Sequence, residues 1–271
     1  MQICKSIKSK TLSINRKLTL MKIKYNQPNL DSHFKFTSPN NVEIIVEKKS
    51  ILKAIEHTHT VIDKFTEFDV DVFEILGMRN LSSFIGEIFA ASIIKHNDLF
   101  IKNPHQDGYP DLLLMDEKGK QLWKNLDGKL KEKQPFSPFA NGGIEIKATV
   151  GSVPSPNEKK GIVKPEIGDQ RINVLKGYDW KAHHRDTNNL MGILWDFIDG
   201  VPRIVSVFFG GNLEIEDWGK IIQPKVGGGK TTSVSIMTRI GVKKMYDGCI
   251  FVIDDKKYIN FLNHYNKAEL L

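Results

Sequence analysis

The chain has 271 residues, of which 40% are hydrophobic and 26% charged, ample for a sizeable core in one large domain. Its 39 Lys and Arg against 32 Asp and Glu give a formal charge of +7, which favours a polyanionic partner over a basic one. Two cysteines, Cys4 and Cys249, exclude a disulfide framework and a cysteine-built zinc site and fit a reducing cytoplasm, and no apolar run reaches the roughly 18 residues of a membrane span.

Met1 to Asn29 carries many lysines and no acid, so part of the positive surplus belongs to this end of the chain and not to a binding cleft. Residues 1–20 read as a disordered tail or an extension ahead of a start at Met21, although their basic, serine-containing character also has the look of a transit peptide. From Asn41 to Asn80, Ile51, Ala54 and Ile55, then Phe65, Phe68, Val72, Phe73 and Leu76, form interrupted apolar faces and predict a helical front end. The run Ser83 to Ile94 is apolar around most of its circumference and predicts a buried helix, with Glu87 as the carboxylate in need of a partner.

A short strand is expected over Asp98–Ile101. Pro110-Asp111 then opens Asp111-Leu112-Leu113-Leu114-Met115, whose continuous apolar character suits a strand buried on both faces, with a carboxylate at its start. Residues 116–142 are rich in Lys, Gly and Pro, with Asp116-Glu117-Lys118-Gly119 and Asp127-Gly128, and read as turns and a hairpin inserted into the core, either solvated or carrying lysines toward a polyanion. Gly143 to Thr149 alternates, so Glu145 and Lys147 share one face of a strand while Ile144 and Ile146 share the other.

Pro110, Asp111, Glu145 and Lys147 together resemble the motif of the PD-(D/E)xK nuclease superfamily, which includes many type II restriction endonucleases. The resemblance implies that Asp111 and Glu145 hold Mg²⁺, that Lys147 orients or activates the attacking water, and that a glutamate on a preceding helix, here Glu87, adds to the metal shell. It also implies a core in the order helix, strand, strand with the Asp, strand with Glu-x-Lys, helix, strand. Candidates for the last two are the segment Asp169 to Tyr178 and the strand Met191 to Trp195. The residue types suit the chemistry, because hard carboxylate oxygens bind Mg²⁺ and the ion activates water and stabilises charge on phosphorus. An ammonium beside them offsets their repulsion.

Pro154 to Pro165 reads as a loop directly after the Glu145 strand. Trp180 to Asn189 combines donors, acceptors and a ring, making Lys181, His183, His184, Arg185 and Asn188 candidates for DNA contact. Adjacent histidines without a third ligand do not build a zinc site. Gly192–Ile198 and Ile204–Phe209, separated by Asp199-Gly200, predict an antiparallel hairpin. Gly227-Gly228-Gly229-Lys230-Thr231-Thr232 has Pro224 where a phosphate-cradling loop requires its first glycine, so nucleotide hydrolysis is rejected. Lys225, Lys230, Thr231 and Arg239 instead become phosphate-contact candidates, against a plain hairpin connection as the alternative. A strand at Cys249–Ile253 and a helix over 257–271 close the chain.

The expected fold is therefore α/β, a mixed central sheet flanked by helices, with a restriction-endonuclease-like core and a helical N-terminal region. Residues 21–271 form one nuclease domain, with the catalytic core at about 81–210 and DNA-contacting loops and C-terminal elements over 211–271. The resemblance implies a cytoplasmic Mg²⁺-dependent type II restriction endonuclease. It would act on double-stranded DNA as a homodimer, with a companion DNA methyltransferase on the same site and no membrane association. The alternatives are a structure-specific repair or recombination nuclease, a non-catalytic DNA-binding protein on the same scaffold, and an α/β protein whose motif is accidental.

Overall fold

The computed structural model of the chain describes residues 23–126, 128–151, 179–181, 188–224 and 233–266. The expected extension at 1–20, the Asp127 turn position, the loop from Pro154 to Pro165, the segment from Asp169 to Tyr178 and the end of the last helix lie outside the described residues.

Among the described residues, seven strands form a mixed sheet in the order β1, β11, β9, β8, β6, β5, β4. They are β1 (Tyr25–Asn26), β4 (Phe100–Lys102), β5 (Leu112–Leu114), β6 (Gly143–Val150), β8 (Leu190–Ile198), β9 (Val201–Gly210) and β11 (Cys249–Ile253). Neighbours run antiparallel except β6 and β8, which are parallel with Lys147 opposite Gly192. The β8–β9 hairpin turns at Asp199 (φ 53°) and Gly200 (φ 78°), the two positive φ angles that a tight two-residue turn requires.

Two helices cover one face. In α1 (Lys48–Phe65), Ile51, Ala54, Ile55, Thr58, His59 and Ile62 recur at helical spacing and are buried. Helix α2 (Val72–His96) starts at Asp71, whose carboxylate accepts from the Phe73 and Glu74 amides, bends at Gly77, and buries Leu81, Ile85, Phe89 and Ile93. Gly86 sits so close to β6 that a Cβ there would lie 3.5 Å from that of Ala148.

The stretch from Asn41 is not helical at its start. His33–Thr37 (β2) and Glu43–Glu47 (β3) form an antiparallel hairpin that buries Phe34, Phe36, Ile44 and Val46, and the helix begins only at Lys48. The β-branched run Ile44-Ile45-Val46 favours a strand, and the rings of Phe34 and Phe36 pack at a tilt on Phe209 of β9 at centroid distances of 4.4 and 5.9 Å.

On the other face, α4 (Arg239–Asp247) and α5 (Lys256–Asn266) enclose a second cluster with Leu194, Val205, Phe208 and Val252. The insertion between β5 and β6 contains α3 (Glu117–Lys124), capped by Asp116, where turns were expected. It packs Phe136 and Phe139 on Leu113 and Met115 as a third, small core. Strands β7 (Asp179–Lys181) and β10 (Val234–Ile236) pair separately. Among the described residues no helix is long and apolar enough to cross a membrane.

Candidate active site

The alternation read from Gly143 to Thr149 decides which side of the sheet carries polar chemistry. Ile144 belongs to the core beneath α1 and α2, and Ile146 and Ala148 pack against it. Glu145 and Lys147 therefore project to the opposite face, which Leu113 shares with the small core of the insertion.

Asp111 lies immediately before β5, where the ladder with β6 ends, and its groups replace the missing strand residues. Its backbone amide donates to Glu145 Oε2 at 3.2 Å, and its Oδ2 accepts from the Ile146 amide at 2.8 Å. This reciprocal clasp, each carboxylate taking a main-chain amide, joins Asp111 to the Glu145 strand although 34 positions separate the two residues. Glu145 is only 3% exposed, so its carboxylate is held by hydrogen bonds and not by water. Its backbone amide donates to Asn189 O at 3.0 Å, and Asn189 Nδ2 donates to Gly143 O at 3.3 Å, fixing β6 to the start of β8.

A buried asparagine outside any motif holds the segment leading into Asp111. Asn103 Nδ2 donates to Pro110 O and Phe136 O, both at 3.0 Å, its Oδ1 accepts from His105 N at 3.0 Å, and its own amide donates to Asp111 O at 2.8 Å. Only its position one residue past β4 hinted at this role, since strand ends favour residues that bond to the local backbone.

Glu87 is placed elsewhere. It is exposed on α2, on the opposite side of the sheet, and forms an ion pair with Lys102. Among the described residues no group of three or more His, Cys, Asp and Glu side chains is arranged to hold a metal. The pair Asp111 and Glu145 is compatible with Mg²⁺ without a third acid, because that ion typically uses one or two carboxylates, waters and substrate phosphate oxygens.

Of the proposed DNA contacts, His183, His184, Arg185, Lys225, Lys230 and Thr231 lie outside the described residues. Lys181 ends β7 and is the register partner of Val234 in β10, so the chain positions bordering the two candidate segments are neighbours. Asn188 is exposed, with its carbonyl accepting from Leu213 N at 2.6 Å, and Arg239 is exposed at the first turn of α4. A cleft of about 470 Å³ between β2, α1 and β11, lined by Lys48, Phe209 and Cys249 among others, contains none of the motif residues.

Compared with known protein families, with curated proteins and with solved structures, the chain matches none.

Proposed function

We propose that the chain is a Mg²⁺-dependent nuclease that hydrolyses phosphodiester bonds of double-stranded DNA, cutting at a specific sequence in the manner of a type II restriction endonuclease. The observation that carries this reading is the clasp of Asp111 and Glu145 on one sheet face, with Lys147 two residues further along the same strand face. The element order α2, β4, β5 preceded by Asp111, β6 with Glu145 and Lys147, and then β8 parallel to β6 supports it, because these elements follow the order the motif resemblance implies, whose second helix falls outside the described residues.

In this reading Asp111 and Glu145 hold the ion, which when bound supplies a nucleophilic water near neutral pH and stabilises charge on the phosphoryl group. The chain's own contribution is geometry. The clasp fixes both carboxylates before substrate arrives, so little reorganisation accompanies the reaction. The Lys147 ammonium offsets carboxylate repulsion and orients the attacking water or the scissile phosphate. Glu87 lies outside this constellation in the ion pair with Lys102.

A restriction role brings with it a cytoplasmic location, a companion methyltransferase protecting the same site, and a homodimer whose twofold axis matches that of a palindromic target. The test is incubation of unmethylated plasmid DNA with the protein in Mg²⁺ or EDTA, beside Asp111→Ala. Discrete Mg²⁺-dependent fragments, absent with the variant, are expected. Cutting confined to junctions, flaps or ends would replace sequence specificity with structure specificity, and absence of cleavage on every duplex and branched substrate would overturn the nuclease reading.

A further inference from the structure

The insertion between the two motif strands carries a run of lysines that the proposed chemistry does not use. Residues 128–134 are all exposed and include Lys129, Lys131 and Lys133 around a single acid, Glu132. Among the described residues none of these three ammonium groups enters an ion pair, in contrast to Lys102, Lys120 and Lys243, each of which does. A charge run of this kind is ordinarily a solvated face, and two structural facts separate it from one.

The first is that its backbone is fixed. Lys129 N donates to Leu126 O at 2.9 Å, Glu132 N to Lys129 O at 2.9 Å and Phe136 N to Lys133 O at 3.0 Å, so the lysines sit on consecutive closed turns. The segment is then bolted to the chain leading into Asp111. Tyr109 N donates to Phe136 O at 2.8 Å, Phe139 N donates to Tyr109 O at 3.0 Å, and Asn103 Nδ2 reaches the same Phe136 carbonyl.

The second is its side of the sheet. Phe136 and Phe139 pack with Leu113 on the face shared by Glu145 and Lys147, away from α1 and α2. Lys133 is one turn from Phe136, and Asp111 is two residues from Tyr109. At about 3.8 Å per Cα step and under 7 Å across a turn, Lys133 lies within roughly 20 Å of Asp111. That span is about six base-pair steps at 3.4 Å each along one strand.

We propose that Lys129, Lys131 and Lys133 form a preorganised arm that contacts the phosphate backbone of the duplex flanking the bond cleaved at Asp111 and Glu145. The proposal rests on the nuclease reading above. The arm contributes affinity and register and no sequence discrimination, because phosphate contacts position the duplex while base edges specify it. Its location fits this role, as a polyanion entering the site from the insertion side meets these charges beside the carboxylate pair.

The test is fluorescence anisotropy of a labelled mixed-sequence duplex in EDTA over a range of NaCl, together with Mg²⁺-dependent cleavage at saturating DNA. Three proteins are compared: the full chain, the triple variant Lys129→Ala, Lys131→Ala, Lys133→Ala, and a control with Lys49→Ala, Lys53→Ala, Lys64→Ala on α1. Both variants lose three charges, but only the first loses them beside the site. The arm variant is expected to bind roughly tenfold to a hundredfold more weakly at low salt and to lower the log–log salt slope by about 2 to 3, with turnover at saturation within about twofold. The control is expected to keep the original slope, and replacing the three arm lysines by arginine to restore it. An unchanged slope in a folded arm variant of a protein that binds and cuts DNA overturns the arm alone, as does an equal loss in the control. A full chain that neither binds nor cuts any DNA removes the nuclease reading and the arm with it.

Discussion

The backbone amide of Asp111 donates to Glu145 Oε2 at 3.2 Å while the Asp111 carboxylate takes the Ile146 amide at 2.8 Å, so each motif acid is positioned through the main chain of the other's strand. Shape and charge at Asp111 are therefore separable. Asp111→Asn keeps an oxygen for the Ile146 amide and loses the charge. It is expected to unfold within a few degrees of the parent, yet to cut DNA at least roughly a hundredfold more slowly. That figure follows if metal-assisted charge stabilisation is worth several kcal/mol, at about 1.4 kcal/mol per tenfold in rate. Asp111→Ala also strands an amide and should cost a further ~1–3 kcal/mol of stability. Thermal unfolding and plasmid cleavage, run on both variants, check the separation.

Lys147 is half-buried on the same face, opposite Gly192 of β8. In the nuclease reading its ammonium serves the chemistry, while Ile146 and Ala148 reach the core from the other side of the strand. Lys147→Ala is expected to slow cleavage by about 10² or more while changing stability by about 0.5 kcal/mol, the usual range for substitutions away from the core. A denaturant titration beside single-turnover cleavage measures both. A Lys147→Ala chain that is unfolded at ordinary temperature would show that the residue holds the sheet together.

The parts of the molecule that were legible in the sequence are those written in local periodicity. The alternation of Glu145 and Lys147 with Ile144 and Ile146, and the positive-φ turn chemistry of Asp199-Gly200, each follow from neighbours a few residues apart. The β2–β3 hairpin carries a local cue in Ile44-Ile45-Val46, but its place in the fold is not legible, because Phe34 and Phe36 pack on Phe209, brought from far along the chain by the sheet order. Helix α3 escapes the sequence for a different reason. Asp116-Glu117-Lys118-Gly119 is turn-like in composition, yet Asp116 is the cap of a helix, its carboxylate accepting from Gly119 N at 2.8 Å. Asn103 carries little sequence signal beyond its place one residue past β4, since one of its acceptors, Phe136 O, lies 33 positions away in the insertion.

The Asn103 side chain bridges the turn before Asp111 and the root of the insertion, so its loss is expected to be felt at the site as well as in the fold. Asn103→Asp is nearly isosteric but turns two donated bonds, to Pro110 O and Phe136 O, into oxygen–oxygen contacts. With Asn103 only 7% exposed, the stranded carbonyls should cost about 1–3 kcal/mol each. The more specific expectation is a raised Mg²⁺ requirement for cleavage, because the backbone on which Asp111 sits loses its anchor. Mg²⁺ titration of the cleavage rate at a temperature where the variant is fully folded measures this. Gly108→Ala should act in the same direction, since a Cβ at Gly108 would come within 2.7 Å of three Asn103 side-chain atoms.

Acid sensitivity should arise far from the site, at His59 on α1. Its Nε2 accepts from the Ile204 amide at 3.0 Å, with the Arg203 guanidinium against its own carbonyl at 3.5 Å, so the ring must be neutral there. Burial first, and the Arg203 charge second, push its pKa down to about 3, from an ordinary value of 6.5. The folded group thus has the lower pKa, and between these values the unfolded chain binds a proton that the folded chain refuses. Stability therefore rises with pH across this window and is lost as pH falls from 6.5 toward 3. Between pH 7 and pH 5 the loss from this one ring is about 2 kcal/mol, at roughly 1.4 kcal/mol per pKa unit. His59→Gln keeps a side-chain acceptor and removes the titration. Unfolding free energies from urea titrations at the two pH values should differ by that much less in the variant, and an identical pH dependence in both proteins would move the origin of the acid sensitivity elsewhere.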